Sequence, residues 1–534
     1  MAVKKTKPDP VDVCIIGAGA AGAVVAKKLG EAGFGVVVLE AGPRFNPATD
    51  YPARQHDFEV AGPLVYDPED PRRDLYTWGT AHWFNFSRVK GVGGSTLVYT
   101  GISRRFHVSD FRVRSTDGVA DDWPISYEDL APYYDEVERE LGVAGLAGAP
   151  GEAPRGPYPL PPFGFNCASQ VIQQGARKLG WQLWPSPVAI NSLPYDGRAA
   201  CVRCGATTVT GCPIGAKGTA DVTYIRKAEA TGWVEVRPLC TAREITVDGQ
   251  GRAGSVIYFD PDGEEQEQEA RLVVLAANAV ESPRLLLLST SSRFPQGLAN
   301  SSGLVGKYFT EHLAVFTEAV FEQRIDPWRG PHAGGMIEDL YETRPEHDFV
   351  RGWTFEVNNG WLWPYSTARK IAGWGQEHKE AMRRLFGHMV GIATVGEQLP
   401  DVNNTVTLDP KVVDNTGVPV PRITNKLGTN DQAMIKTIKA RTVELLQAAG
   451  AAEIEEPVHK PGGSSHYLGT CRMGDDPQSS VLNRWCQSHD VPNLFVVDSS
   501  GFVTGGAANP ALTIQALAAY SADAMVERAR RGEW

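Results

Sequence analysis

The sequence lacks the features that mark several specialised classes of protein. It contains no run of about 18 apolar residues, so no membrane-spanning helix is predicted. Its first residues, MAVKKTKPDPVDV, hold lysines but no apolar segment of the kind that directs secretion, so we expect the protein in the cytoplasm. Eight cysteines in 534 residues are too few for the disulfide framework of a small secreted protein.

Basic residues are also in the minority. There are 52 lysines and arginines against 63 aspartates and glutamates, which gives a net charge of −11. This balance argues against nucleic acid and against an anionic membrane surface as partners. The chain has no internal repeat and no low-complexity tract, and 42% of its residues are hydrophobic. These properties predict a soluble globular protein of about two to four domains.

A dinucleotide-binding pattern occupies residues 11–42. Phosphates are expected at the start of its helix, where unpaired N–H groups and the helix dipole favour negative charge. The acid Glu40 follows the last glycine by 40 − 22 = 18 residues, about where a carboxylate accepts hydrogen bonds from an adenosine ribose. The pattern alone does not separate FAD from NAD. Its elements are an apolar strand at 11–16, the G-x-G-x-x-G turn Gly17, Gly19 and Gly22, a helix at 20–32, and a second strand at 36–39.

A second glycine cluster lies at residues 88–101, RVKGVGGSTLVYTG. Gly91, Gly93 and Gly94 would let the backbone approach a flat ligand closely. The alternative is a surface turn. The apolar and hydroxyl residues that flank the glycines favour a ligand-binding segment.

Two polar residues near the C-terminus stand in notable contexts. His466 lies in SSHYLGT, and Asn509 lies in GGAANP. Asn is a good N-cap and Pro suits the first helical position, so a helix at 511–528 would direct its positive end at whatever precedes Asn509. A reduced flavin is an anion and would suit that place. The alternatives are a structural histidine and an ordinary helix cap.

Seven blocks in the same order identify a resemblance that runs nearly from end to end. The chain resembles the glucose–methanol–choline (GMC) oxidoreductases, FAD enzymes that oxidise alcohols. The resemblance decides the cofactor in favour of FAD. It implies an α/β fold with a discontinuous doubly wound FAD-binding domain and an α+β substrate domain whose sheet is mainly antiparallel. The blocks are GAGAAG with Glu40, GVGGST, WPISYEDLAPYY, LAANAVESPRLLL, LVGKYFTEHL, SSHYLGTCRMG, and VVDSSGFVTGGAANPALTIQALA.

The same resemblance gives the domain boundaries. The FAD-binding domain is expected to combine three segments and the substrate domain two. Residues 345–380 are a candidate lid, because Trp353, Trp361, Trp363 and Trp374 stand there among many charges; the alternative is an irregular loop with buried anchors. The boundaries are 1–139, 235–310 and 461–534 for the first domain, and 140–234 and 311–460 for the second.

The resemblance also implies the catalytic roles. His466 corresponds to the base that takes the hydroxyl proton, and Asn509 to the partner that orients the same oxygen. An imidazole suits that task at neutral pH. His312 and His82 are alternatives that we expect to be structural. An asparagine at the second position resembles bacterial glycoside 3-oxidases, pyranose oxidases and choline oxidase-like enzymes. The expected reaction is oxidation of a secondary hydroxyl of a sugar or glycoside, at C3 or C2, with electrons passing to dioxygen or to a quinone or artificial acceptor.

By resemblance, FAD contacts come from several segments. Leu97, Val98 and Tyr99 stand where some family members attach FAD covalently through a histidine, so non-covalent FAD is expected. The predicted cofactor-binding residues are Gly17, Gly19, Gly22, Glu40, Gly93, Gly94, Ser95, Ala242, Asp498, Ser499, Asn509 and Thr513.

Cys201, Cys204 and Cys212 leave an alternative open. Three close thiolates favour an iron–sulfur cluster, which some sugar dehydrogenase subunits of the family carry, but three ligands are below the usual complement. Zinc prefers four ligands. We expect no metal, so free thiols or a Cys201–Cys204 bridge are preferred, and the cluster-bearing subunit of an electron-transfer complex stays the second hypothesis. A flavin-binding lyase, a class that shares this fold, is the third.

Overall fold

The computed structural model describes residues 11–47, 49–51, 75–80, 88–205, 211–328, 330–331, 333–358 and 364–534. His82, Trp361 and Trp363 lie outside the described residues. Within them, ten α-helices are present. They are α1 Ala20–Glu31, α2 Val113–Asp117, α3 Tyr127–Leu141, α4 Cys167–Lys178, α5 Arg226–Ala230, α6 Asn278–Leu288, α7 Pro364–Lys370, α8 Gln376–Leu385, α9 Thr429–Ala449 and α10 Ala511–Arg530.

The described strands divide between two sheets. They are β1 Val11–Ile16, β2 Val36–Glu40, β3 Thr77–Trp78, β4 Leu183–Trp184, β5 Val234–Pro238, β6 Thr241–Val247, β7 Ala253–Phe259, β8 Glu265–Leu275, β9 Lys307–Leu313, β10 Val315–Val320, β11 Ala333–Ile337, β12 Trp353–Asn358, β13 Met389–Glu397, β14 Thr405–Val413, β15 Pro419–Thr424, β16 Glu453–Ile454, β17 Val458–His459, β18 Tyr467–Thr470 and β19 Leu494–Val496.

The first sheet has β1 near its centre. Its path is β5-β2-β1-β8-β7-β6, and β19 pairs with β8. The pairs of β1 with β2 and β8, of β2 with β5, and of β8 with β19 are all parallel. Because parallel strands are covered by helices on both faces, their sequences are almost continuously apolar, as in VDVCII of β1. The expected discontinuous α/β sheet is confirmed, since its strands come from both ends and the middle of the chain.

The second sheet is mainly antiparallel, as predicted. Its path is β3-β15-β14-β9-β13-β12-β11-β4. β18 also joins it by pairing with β9, so the strand that follows His466 belongs to this sheet. One apolar face of the sheet packs against α4 and α9, with Trp353 and Phe355 in that core. The domain boundaries themselves stay a prediction.

Helix α3 begins with a reciprocal pair of hydrogen bonds between Ser126 and Asp129. The Ser126 hydroxyl accepts from the Asp129 N–H at 3.3 Å, and the Asp129 carboxylate accepts from the Ser126 N–H at 2.8 Å. This reciprocal pair is a capping box. Helix α10 differs from the prediction. Its N-cap is Pro510, and no side chain caps its N-terminus, so Asn509 is not the cap and its amide is free for another contact.

The described residues of the segment 345–380 include a strand and two helices. Residues Trp353–Asn358 form the interior strand β12, and Trp353 is fully buried. Trp353 therefore belongs to the core and cannot form part of a lid. Trp374, in contrast, is 89% exposed ahead of α8, a helix with no buried residue. Nowhere in the described ranges is there a helix long and apolar enough to cross a bilayer.

Candidate active site

Two glycine segments pack directly on each other at the carboxyl end of β1. The Gly93 N–H donates to the Ala18 carbonyl at 2.9 Å. Gly94 has φ +55°, and a Cβ built on it would lie 2.8 Å from the Cα of Gly19. The two predicted ligand segments therefore form one backbone surface, and glycine is required where they meet.

Glycine is needed at the positions of the first motif, Gly17, Gly19 and Gly22, for a different reason at each. Gly17 has φ +103°, and a Cβ there would lie 2.5 Å from the Ala276 carbonyl oxygen. A Cβ on Gly22 would lie 1.9 Å from the carbonyl oxygen of Gly17, so helix and turn touch at that point. A Cβ on Gly19 meets nothing closer than 4.0 Å, so its Cα borders open space. This is the arrangement in which a backbone can approach a pyrophosphate.

The Glu40 carboxylate connects the two glycine segments through hydrogen bonds. Its carboxylate accepts main-chain N–H groups from Ala18 and Gly42, both at 2.9 Å, and from Gly91 at 3.1 Å. Burial raises the pKa of Glu40 above its ordinary value. A carboxylate has about four acceptor positions. Three are filled, so one position on Oε2 remains for the ribose hydroxyl that the sequence predicts.

We expect Gly22→Ala to weaken retention of a dinucleotide. The added methyl has no room against the Gly17 carbonyl, so the turn must shift. The bound fraction of FAD after gel filtration, read from the ratio of flavin to protein absorbance, should fall about tenfold or more. The matched control is Gly249→Ala, because a Cβ there meets nothing within 4 Å. An unchanged ratio in Gly22→Ala would contradict the assignment of this turn.

The remaining predicted cofactor residues differ in how accessible they are to a ligand. Ser95 is exposed beside the glycine surface, in the 3₁₀ turn Gly94–Leu97. Ala242 is half-buried in β6, two residues after Cys240, whose N–H donates to the Glu40 carbonyl at 2.8 Å. These two positions are open to a ligand and stay candidates.

The other three predicted cofactor residues, Asp498, Ser499 and Thr513, are buried within the protein. The Asp498 carboxylate accepts from the N–H of Asn278 and Ser500 and from the Ser282 hydroxyl, at 2.6–3.0 Å. Ser499 is buried behind it. The Thr513 hydroxyl pairs with Tyr134 at 2.9 Å and the residue is fully buried. Cofactor contacts from Asp498, Ser499 and Thr513 stay predictions.

His466 lies against a second histidine. The Nδ1 atoms of His466 and His312 are 2.9 Å apart, with the rings 86° from parallel. Burial first, and the neighbouring His312 second, lower the pKa of His466 well below 6.5. An imidazole in this place is neutral at pH 7 and can accept a proton.

The loop that carries Asn509 is held by residues from distant parts of the chain. His312 Nε2 lies 3.1 Å and 2.8 Å from the carbonyl oxygens of Gly505 and Gly506. Both polar groups of the Ala507 main chain are also bonded. Its N–H donates to the Tyr341 hydroxyl at 3.1 Å, and its carbonyl accepts from Thr354 Oγ1 and Arg104 Nη1. The structure thus links His466 through His312 to the loop that leads to Asn509.

Asn509 contacts a buried acid. Its side chain lies beside that of Glu356 on β12; burial raises the pKa of Glu356, and the neighbouring Asn509 lowers it by less. The Asn509 Oδ1 and the Glu356 Oε1 are both buried without a hydrogen-bond partner. The sequence predicts that the Asn509 amide orients a substrate oxygen.

Glu311 fixes the loop before His466. Its buried carboxyl accepts the Gly462 N–H on both oxygens, at 2.9 Å and 2.8 Å, and the Asn425 amide at 3.1 Å. Burial raises the pKa of Glu311 to about 8. This contact sets the start of the turn that ends at His466.

Sequence reasoning missed three residues of this site. Arg104, and Thr354 and Glu356 on β12, contact the 505–509 loop. The alternation in WTFEVN was an available signal, because it places Thr354 and Glu356 on the face of β12 opposite Trp353 and Phe355. His312 was expected to be purely structural, and it contacts His466 directly.

The sequence comparisons bear on this geometry. The N-terminal GMC oxidoreductase profile matches residues 11–314, and the C-terminal one matches residues 400–518. The chain belongs to the GMC oxidoreductase family. It is 36% identical to 2-methyl-1,2-propanediol dehydrogenase of Mycolicibacterium austroafricanum, over 98% of this chain and 96% of that one. It is 32% identical to the fructose dehydrogenase large subunit of Gluconobacter japonicus, over 98% of each.

A solved structure supports the fold independently of close sequence similarity. Pyridoxine 4-oxidase from Mesorbium loti superposes with a TM-score of 0.65 at 18% identity, covering 96% of this chain and 99% of that one. GMC oxidoreductases bind FAD. The glycine surface of this chain, where side chains would fill the space, fits such a group. The predicted oxidation of a CH–OH group is confirmed at the level of an alcohol or sugar substrate.

The cysteine segment carries no built metal site. All eight cysteines lie in the described part of the chain and are free; Cys201 is half-buried, Cys204 exposed and Cys212 buried. Cys201 and Cys204 are therefore not bridged. Across the described ranges, no group of three His, Cys, Asp or Glu side chains is arranged to hold a metal ion.

Proposed function

We propose that this GMC oxidoreductase oxidises a secondary hydroxyl of a sugar or glycoside, at C3 or C2, to the corresponding ketone. His466 accepts the hydroxyl proton and Asn509 orients the same oxygen. The observation that carries the proposal is the contact of a neutral His466 with His312, which is bonded in turn to the loop leading to Asn509.

Each residue type suits its role in this reaction. Bound FAD, held without a covalent bond, supplies the acceptor for the hydride that leaves carbon. His466 takes the proton from oxygen, so that both leave the substrate and a C=O bond forms. The Asn509 amide donates to the same oxygen and limits its rotation. Glu356 lies beside that amide, and we propose that it accepts the other N–H and so limits the orientations of the amide.

The binding surface proposed for FAD follows from the glycine segments. The turns at 17–22 and 91–94 would hold the pyrophosphate, and Glu40 the ribose. Ser95 and the Ala242 main chain would add contacts on either side. A carbohydrate substrate is supported by the similarity to fructose dehydrogenase and to an enzyme named for a diol.

The pH dependence should report the state of His466. A base works only when it is deprotonated, and burial lowers the pKa of this imidazole well below 6.5. We therefore expect kcat/KM to stay level from pH 6.5 to 8 and to fall only when the pH drops below the lowered pKa. A profile of kcat/KM against pH measures this. An acid limb above pH 6.5 would contradict a neutral buried base.

A substrate screen tests the function itself. Monosaccharides, aryl glycosides and C-glycosides should be assayed for peroxide formation with dioxygen, then again with an artificial acceptor. We expect turnover with at least one sugar or glycoside, and a keto sugar as product. Turnover of simple monohydric alcohols alone would reject the carbohydrate assignment.

One observation favours a second candidate. The relative with 32% identity over nearly its whole length is named as the large subunit of a dehydrogenase. A subunit of that kind would pass electrons to a partner protein, and Cys201, Cys204 and Cys212 would be candidate cluster ligands. Iron analysis separates the candidates. Stoichiometric iron in the purified protein favours the electron-transfer subunit, and its absence favours the self-contained oxidoreductase.

A further inference from the structure

The contact between His312 and His466 constrains where their protons lie. Two Nδ1 atoms at 2.9 Å form a hydrogen bond only if one of them carries a hydrogen and the other is bare. The distance alone does not say which one donates. The contacts of the other ring nitrogen of His312, Nε2, identify the donor.

His312 Nε2 faces two carbonyl oxygens. The Gly505 oxygen lies at 3.1 Å and the Gly506 oxygen at 2.8 Å. Carbonyl oxygens only accept, so Nε2 of His312 carries a hydrogen. This ring is almost completely buried, and burial lowers its pKa, which keeps it neutral. A neutral imidazole has one N–H, so His312 Nδ1 is bare and accepts.

We infer that His312 is a positioning residue that fixes His466 in the tautomer with hydrogen on Nδ1 and a bare Nε2. The bare Nε2 is then the atom that receives the substrate proton. This inference rests on the proposed role of His466 and deepens it. In the opposite tautomer, Nε2 would carry a hydrogen and His466 could not act as a base.

The proton balance is simple. The hydroxyl O–H bond breaks and an Nε2–H bond forms, which leaves His466 as an imidazolium. Its Nδ1–H still donates to the bare Nδ1 of His312, and a charged donor strengthens that bond. No proton has to leave the pair during the step.

Other charged groups act on the pair. Glu397 on β13 and Arg104 face His312 with opposite effects on its charge. Glu397 is itself paired with Arg351 through an Nε–Oε2 contact of 2.6 Å. Arg104 is paired with Glu338. Each of these two charges has its own partner, and the hydrogen bonds of the ring decide which nitrogen of the neutral His312 carries the hydrogen.

Two substitutions of His312 test the roles of its two ring nitrogen atoms separately. In His312→Asn, the amide oxygen takes the place of Nδ1 and keeps the acceptor for His466. In His312→Gln, the amide takes the place of Nε2 and keeps the donor to Gly505 and Gly506. A role in positioning His466 predicts that Asn preserves more activity than Gln, and a role in holding the loop predicts the reverse.

We expect the rate of flavin reduction at saturating substrate to be about tenfold or more lower in His312→Gln than in His312→Asn. KM should differ less than kcat between the two variants. FAD content and melting temperature serve as controls for folding. Equal rates, or a faster Gln variant, would overturn the inference and leave His312 as a support for the loop.

A measurement without variants or turnover tests the same point. The wild-type protein, labelled with ¹⁵N-histidine, should show His466 protonated at Nδ1 and bare at Nε2. The opposite pattern would overturn the inference even if both variants failed to fold. If the tautomer is found but no sugar or glycoside is oxidised, the inference stands and the proposed substrate fails.

Discussion

His466→Ala should slow flavin reduction by about 10²–10⁴-fold at saturating substrate, because it removes the group that accepts the hydroxyl proton. FAD content should stay near the wild-type value, since His466 does not belong to the glycine surface. The rate is measured by rapid anaerobic mixing with the best sugar from the screen. KM should change much less than kcat if the lost interaction forms mainly in the transition state.

The matched control is His459→Ala. His459 is half-buried on the edge strand β17, and burial lowers its pKa to about 4, so it shares the desolvated character of His466. It has no place in the proposed reaction, and the rate should stay within about twofold of wild type. A His466→Ala enzyme that reduces its flavin at the wild-type rate would remove this residue from the mechanism.

Arg351→Met should lower the free energy of unfolding by about 3–5 kcal/mol. Arg351 is fully buried and pairs with Asp110 and with Glu397, both of which are also buried. Removing the guanidinium leaves these two carboxylates, and that of Asp117 at 3.2 Å, in the interior without their cation. Denaturant unfolding followed by fluorescence, with the same slope assumed for both proteins, measures the loss.

Loss of the Arg351 ion pairs should also disturb the active site. Asp110 accepts from the Tyr341 hydroxyl at 2.6 Å, and Tyr341 accepts from the Ala507 N–H in the loop before Asn509. Arg324→Met is the control, because Arg324 is 60% exposed and its partner Asp326 is 41% exposed. Solvent screens that exposed pair, so its loss should change the free energy of unfolding very little. Equal effects of the two substitutions would mean that the buried network does not stabilise the fold.

Local patterns predicted the parts of the fold that depend on local chemistry. The glycine turn and apolar runs of residues 11–40 specify β1, α1 and β2, because each glycine has a steric reason within the segment or at its contact with Gly94. The three-residue spacing of Ser126 and Asp129 is typical of a helix N-terminus, and α3 begins there. These features need only a few neighbouring residues.

The site depended on contacts that no local pattern contains. Asn509 looked like a helix cap next to Pro510, yet its side chain lies beside Glu356, more than 150 positions away in the chain. Trp353 looked like part of a lid, yet the sheet buries it. His312 looked structural because its partner His466 lies in a distant segment, just before β18. Such pairings arise from the packing of distant segments, which sequence spacing does not reveal.

The most direct test of the account is a single anaerobic turnover. The purified yellow protein is mixed under nitrogen with a sugar or glycoside from the screen, and the flavin absorbance and the product are both recorded. We predict that the flavin bleaches and that one keto sugar forms for each flavin reduced. A flavin that dithionite bleaches but that no sugar or glycoside reduces would contradict the central claim.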